Sequence, residues 1–343
     1  MADSRGRVWT GVLRVEPHRG DHRVALRAAI SVAVPLLVLW MLGRLDLSIY
    51  ASFGAFAALY GRHDVFRDRL RMQATAGGVI LASMLVGTAL SVLAAPAPVS
   101  ILVVAVIASA VTLLAYTMRW HPPGPLFPVF AVGACATIPA TTASFGDVLL
   151  VGGPSVLFGL AITALIGVFT RSTADASSRS RQPVGPIAGE MAASVGVAIV
   201  GAGFAGLLIM DSHWYWAAVG AVAAVSGPQL NARVIRGIQR LVGTLLGVLV
   251  AAAILAIDLP PLAVIVLVVV LQAAAELFVG RNYGIAMVFI TPLALLMVHL
   301  AAPTPVDMLL QDRAIETVIG VAIGTLVAVA SAALRRRQGR TRA

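Results

Sequence analysis

Apolar runs of about 18 to 23 residues recur along the whole chain, each long enough to cross a hydrocarbon core about 30 Å thick. No water is available there to satisfy the backbone, so a crossing segment must be a helix or part of a closed barrel. Barrel strands alternate apolar and polar residues, and these runs do not. The expected fold is therefore all-α, a polytopic membrane protein. Composition agrees: 59% of the 343 residues are hydrophobic, 12% are charged, and mean hydropathy is +0.93. A soluble domain is nearer a quarter charged.

The runs fall into two copies of one unit. At a constant offset Gly54 pairs with Gly220, Gly61 with Gly227, Arg67 with Arg233, Gln73 with Gln239 and Gly77 with Gly243, and Tyr50 coincides with Trp216. Self-similarity of this kind marks a repeated architecture. The expected organisation is a cytoplasmic segment over 1–26, a six-helix repeat over 27–171, a polar linker over 172–186, a second six-helix repeat over 187–334, and a basic tail over 335–343. Arg5, Arg7, Arg14, Arg19 and Arg23 precede the first full-length run without a small-residue cleavage site, so no signal peptide is expected.

The net charge of +10 comes from arginine alone; there is no lysine. These arginines are spread over the loops, which argues against a nucleic-acid surface and for the positive-inside rule. With the N-terminus in the cytoplasm and about twelve spans, the inner loops hold every arginine except Arg44 and Arg313. The outer loops hold Asp46, Asp147, Asp211, Asp258, Asp307 and Asp312. Both termini are then cytoplasmic, in the cell (inner) membrane. An even number of spans per half makes the repeats parallel, about an axis along the membrane normal.

Short or interrupted spans at matching positions of two repeats are the best pointer to a transport site. Spans two and eight, ending at Tyr60 and Val225, are too short to cross alone. Spans five and eleven, over Leu126 to Thr142 and Tyr283 to Ala301, carry Thr137 with Pro139 and Thr291 with Pro292. Each proline should release the carbonyl four residues earlier. The threonines either replace that contact or face a ligand.

Arginine clusters follow the short spans. Arg67 and Arg71 share one helical face, and Arg233, Arg236 and Arg240 another. Guanidinium forks bind carboxylates in pairs of hydrogen bonds, so the clusters could gather organic anions, or simply set topology and meet lipid headgroups. Arg62 and Arg69 read as topology. Arg313 and Glu316 are spaced for an ion pair at the outer start of span twelve, opposite Gly152 and Ser155 of the first half. Glu190 and Glu276 are candidate proton carriers or interfacial groups, as are Arg281 and Asn282. His121 reads as a loop residue, with a proton role as the alternative.

Gly201, Gly203 and Gly206 match a dinucleotide fingerprint, but they lie inside an apolar span with no strand before it; close helix packing is the better account. There is no phosphate loop, metal-binding helix or nucleophile elbow, so no catalysis, cofactor or metal is expected. The lone Cys135 allows no intrachain disulfide.

Several residues together resemble the fusaric acid resistance protein-like family, in the wider group of bacterial aromatic acid exporters and plant aluminium-activated malate transporters. They are Tyr50-xxx-Gly54, Trp216-xxx-Gly220, Gln73-xxx-Gly77, Arg236-xxx-Arg240-xx-Gly243-Thr244, Thr291-Pro292 and Arg313-xx-Glu316-xxx-Gly320. The resemblance runs through nearly the whole chain. It implies efflux of organic anions, aromatic carboxylates among them, and a homodimer as in the plant relatives. The chain departs from larger members in having no long cytoplasmic domain between or after the halves, and Gly237 stands where Arg71 would predict an arginine. The leading expectation is an exporter of small organic acids coupled to the proton gradient. A passive anion channel and a non-transporting envelope scaffold are the alternatives.

Overall fold

The computed structural model describes residues 9–169, apart from 19 and 63, and residues 185–341, apart from 211, 212 and 228. The expected linker falls almost wholly outside these residues, as does Asp211. The described chain is helical throughout. In the first half the helices are α1 (Asp21–Met41), α2 (Ser48–Ala55, continued by a 3-10 turn Phe56–Leu59), α3 (Phe66–Val92), α4 (Ala97–Thr117), α5 (Leu126–Thr137) and α6. This last helix comprises Ser144–Asp147, a π-turn Val148–Gly152 and Gly153–Phe169. The second half has α7 (Pro186–Met210), α8 (Tyr215–Val225), α9 (Leu230–Leu255), α10 (Pro261–Phe278), α11 (Tyr283–Ala301) and α12 (Val306–Thr341).

Among the described residues nine helices are long and apolar enough to cross a membrane; the α2 segment, α5 and α8 are shorter. Large apolar side chains point outward around the bundle, for example Leu102 and Val106 on α4, Leu157 and Leu165 on α6, and Val266 and Val270 on α10. A continuous apolar surface of this kind is stable only against lipid or another apolar body. The chain is a multi-pass membrane protein.

Two short helices form the centre. Every residue of Ser48–Ala55 and of Tyr215–Val225 is buried. They can be enclosed because their contacts are made by small residues. Gly54 sits against Gly152 and Ser155 of α6, and Gly320 and Gly324 of α12 sit against Ala217 and Ala221 of α8. The surrounding contacts come in matched pairs. Helix α3 packs on α5 as α9 does on α11, and α2 on α6 as α8 does on α12. Helix α1 lies against α10 as α4 does against α7, so each half lends an outer helix to the other.

Several expected boundaries move. Helices α3 and α9 begin inside the arginine clusters, because arginine is a good helix former and a helix can run on past the hydrocarbon core. Helix α12 starts nine residues before Ile315, and Arg335–Thr341 of the expected tail continue it. Helix α1 includes 21–26. Helix α5 stops at Thr137: Ile138 takes an extended conformation (φ −83°, ψ 129°), as a residue before proline prefers. Pro139 therefore lies outside the helix and releases no carbonyl within it. Pro292 does lie inside α11, whose residues Thr291–Val298 are all buried. The two Thr-Pro sites are thus not equivalent kinks.

Candidate functional site

A cavity of about 370 Å³ opens at the arginine-rich end, lined by Leu59, Arg62, Asp64, His121, Pro122, Phe127, Arg236, Glu276, Val279 and Gly280. It lies between the halves. Arg62 closes one wall: its Nη2 donates to the Glu276 carboxylate, and its Nη1 donates to the Glu276 carbonyl at 2.9 Å and to Asp21 Oδ1 at 3.2 Å. One loop arginine thereby ties α1 and α10 together. Its role is visible only once the halves are packed.

From this cavity a file of rings runs inward. Phe127 meets Phe56 (5.0 Å between centroids), Phe56 meets Phe53 (5.8 Å), Phe53 meets Phe130 (5.0 Å) and Phe130 meets Trp216 (4.9 Å). Tyr215 stacks on Trp216 at 5.2 Å. The file ends at Arg313, whose Cζ stands 4.0 Å over the Trp216 ring. Helical spacing brings these rings to one side: Phe53 and Phe56 are three apart on the α2 segment, and Phe127 and Phe130 three apart on α5.

Arg313 is 2% exposed, and its Nε and Nη1 have no hydrogen-bond partner. Two other guanidiniums lead toward it from the cavity. Arg236 lies 4.6 Å over the Tyr283 ring. One turn deeper, Arg240 Nη1 donates to Tyr283 Oη at 2.7 Å, while Arg240 Nε is unpartnered. The arrangement offers cation and aromatic surface together, with donors left over for an acceptor that the protein does not itself supply. That is the chemistry of a site for an aromatic or apolar carboxylate.

Arg313 lies two turns inside α12 rather than at its outer start. It forms no ion pair with Glu316; both Glu316 oxygens are buried without a partner. The pairing with the first half also shifts. Gly159 and Gly324 face the matching alanines Ala58 and Ala224, and Gly54 and Gly220 face Ser155 and Gly320. Ser155 therefore corresponds to Gly320, and Arg313 and Glu316 correspond to Val148 and Val151 in the π-turn. Tyr50, the counterpart of Trp216, is buried but has no such arginine above it among the described residues. The site is asymmetric.

The remaining candidates lie elsewhere. Arg67 and Arg71 are exposed on α3. Arg233 is buried, with Nε donating to Gly227 O at 2.7 Å and Nη1 to Ser331 Oγ at 3.3 Å. In the first half it is Arg69, not Arg67, that bonds in this way, donating to Gly61 O at 3.1 Å and to Asp64 O at 2.6 Å. The cause is register: Arg69 and Arg233 are each the fourth residue of their helix. Both brace a turn whose glycine has positive φ, 68° at Gly61 and 138° at Gly227. Thr137 is exposed and bonds back to Ala134 O; Thr291 is buried against Gly247 with its hydroxyl unpartnered. Glu190 pairs with Arg335 at 3.1 Å. Asn282 and Arg281 hold the N-terminal segment through the carbonyls of Val12, Arg14 and Glu16. Arg236 lines the cavity, and Arg67 and Arg71 do not.

Residues 196–327 match the family model for fusaric acid resistance protein-like proteins, a stretch that includes α8, α9 and Arg313. The chain is also similar to an uncharacterized membrane protein, YvaC, of Bacillus subtilis strain 168, at 31% identity over 137 residues. That alignment covers 38% of this chain and 22% of YvaC. No solved structure matches.

Proposed function

From the fusaric acid resistance protein-like pattern over residues 196–327, we propose that the chain is a cell-membrane transporter that exports small organic acids, aromatic carboxylates among them. The observation that carries this reading is the buried, under-bonded Arg313 at the end of an aromatic file that begins in a cavity. A guanidinium in that setting is costly unless a ligand uses it. The matched helix contacts support twelve spans in two parallel repeats, with α2 and α8 as the short inner spans. The positive-inside rule supports a cytoplasmic position for the cavity end. The enclosure of Arg313 and Trp216 favours a carrier over a standing pore, because water does not reach them in this conformation.

Efflux from vesicles tests the reading. Purified protein in liposomes loaded with radiolabelled benzoate should release it faster than protein-free liposomes. Cyclohexanecarboxylate should compete weakly and benzylamine not at all, since the first lacks the ring face and the second the anion. Equal release with and without protein would end the proposal.

A further inference from the structure

Glu316 has an environment that anion binding alone does not explain. Its side chain is fully buried, and neither carboxyl oxygen has a hydrogen-bond partner. An ionised carboxylate left so costs several kcal/mol, so the geometry fits the neutral acid. Arg313 lies three residues away on the same helix, close enough for an ionised Glu316 to turn toward it. Four residues from Glu316 on the same face is Asp312, toward the end remote from the arginine-rich rim. Asp312 Oδ2 is 2.7 Å from His213 Nδ1, and the His213 side chain is 17% exposed where that of Asp312 is 5%. Histidine, aspartate and glutamate thus make a file from the surface to the buried site.

Among the described residues the other charged or titratable neighbours are few. Tyr215 faces Glu316 from α8, and Arg240 of α9 and Tyr283 of α11 act on Arg313. The one titratable side chain of α7, Glu190, is engaged with Arg335.

We propose that Glu316 is a protonation site that decides whether Arg313 is open to a solute anion, with His213 and Asp312 as its proton path. Protonated, Glu316 leaves the guanidinium free. Ionised, it occupies Arg313 itself and takes the place of the solute carboxylate. A proton enters from water at His213, passes to the Asp312 carboxylate and then to Glu316; only N–H and O–H bonds are made and broken. Proton binding and anion binding then favour each other, and by linkage each anion bound draws a proton in. The anion arm rests on the transporter reading above; the proton site does not.

Two measurements on the purified full chain separate the claims. Infrared spectra should show a buried carboxylic-acid C=O band that is lost in Glu316→Gln and whose pH midpoint moves in Asp312→Asn. Adding benzoate should take up roughly half a proton per molecule bound at that midpoint and approach one above it in wild type, and take up none in Glu316→Gln, whose benzoate affinity no longer falls as pH rises. A wild type lacking the band, or a band unchanged in Glu316→Gln, overturns the proposal, as does proton uptake that persists in Glu316→Gln. The expected band with no benzoate binding upholds the proton site and removes the transporter reading instead.

Discussion

Arg313→Met is expected to raise the melting temperature and to lose benzoate binding. The two effects have one cause. Burying a guanidinium without full hydrogen bonding costs several kcal/mol, of which the stacked Trp216 returns about 2 kcal/mol or somewhat more. Methionine fills similar space with no charge to desolvate, so the empty protein gains stability. Charge-assisted hydrogen bonds to the solute carboxylate are worth about 1.5–3 kcal/mol, so affinity should fall by roughly tenfold to a hundredfold. Arg313→Lys should fall between, keeping the charge but losing the planar fork and its stacking on Trp216. A bracing arginine behaves oppositely: Arg233→Met should lower stability, because the Gly227 carbonyl and Ser331 lose their donor. Thermal unfolding and benzoate titration on the same samples decide the matter. An Arg313→Met protein that melts earlier and binds benzoate normally would make Arg313 a structural residue.

The contrast between Arg313 and Arg233 also explains what the amino-acid order could and could not reveal. The all-helical membrane character was legible because it depends on local hydropathy, and each helix satisfies its own backbone. Small residues at helix contacts were legible for a similar reason: Gly203 does pack on Ile101, and Gly243 on Gly284 and Met287. Helix starts were less so. Hydropathy places the boundary where charges begin, but helical bonding ignores that border. That is why Arg69 rather than Arg67 matches Arg233, and why Arg313 lies two turns inside its helix. The ring file from Phe127 to Trp216 draws on α2, α5 and α8, so no window of sequence contains it. The Arg62 clasp has the same character, since Glu276 is more than two hundred residues away. Only the three-residue spacing of the phenylalanines was available beforehand, and it fits ordinary core packing equally well.

Gly320→Ala should both destabilise the fold and weaken benzoate binding, and Gly78→Ala should do neither. A methyl group at Gly320 would meet the Ala217 carbonyl oxygen and lie 3.0 Å from Ala221 N and from Gly220 Cα, all backbone atoms of α8. Backbone cannot rotate aside as a side chain does, so α8 and α12 must part. Overpacking of this kind costs about 1–3 kcal/mol. The next turn is as close, since a methyl built on Gly324 would lie 2.6 Å from the Ala221 carbonyl oxygen, so α12 cannot relieve the strain by pivoting about that turn. The displacement reaches the candidate site because Arg313 rides on α12, two turns from Gly320, and Trp216 rides on α8. Their 4.0 Å separation is the last step of the ring file, and it widens when the helices do. Gly78 has nothing within 4 Å of an added methyl, so alanine there should be neutral or stabilising by about 0.5–1 kcal/mol through the glycine entropy it removes. If Gly320→Ala melted and bound benzoate as Gly78→Ala does, the close approach of α8 and α12 would not be what holds Arg313 over Trp216.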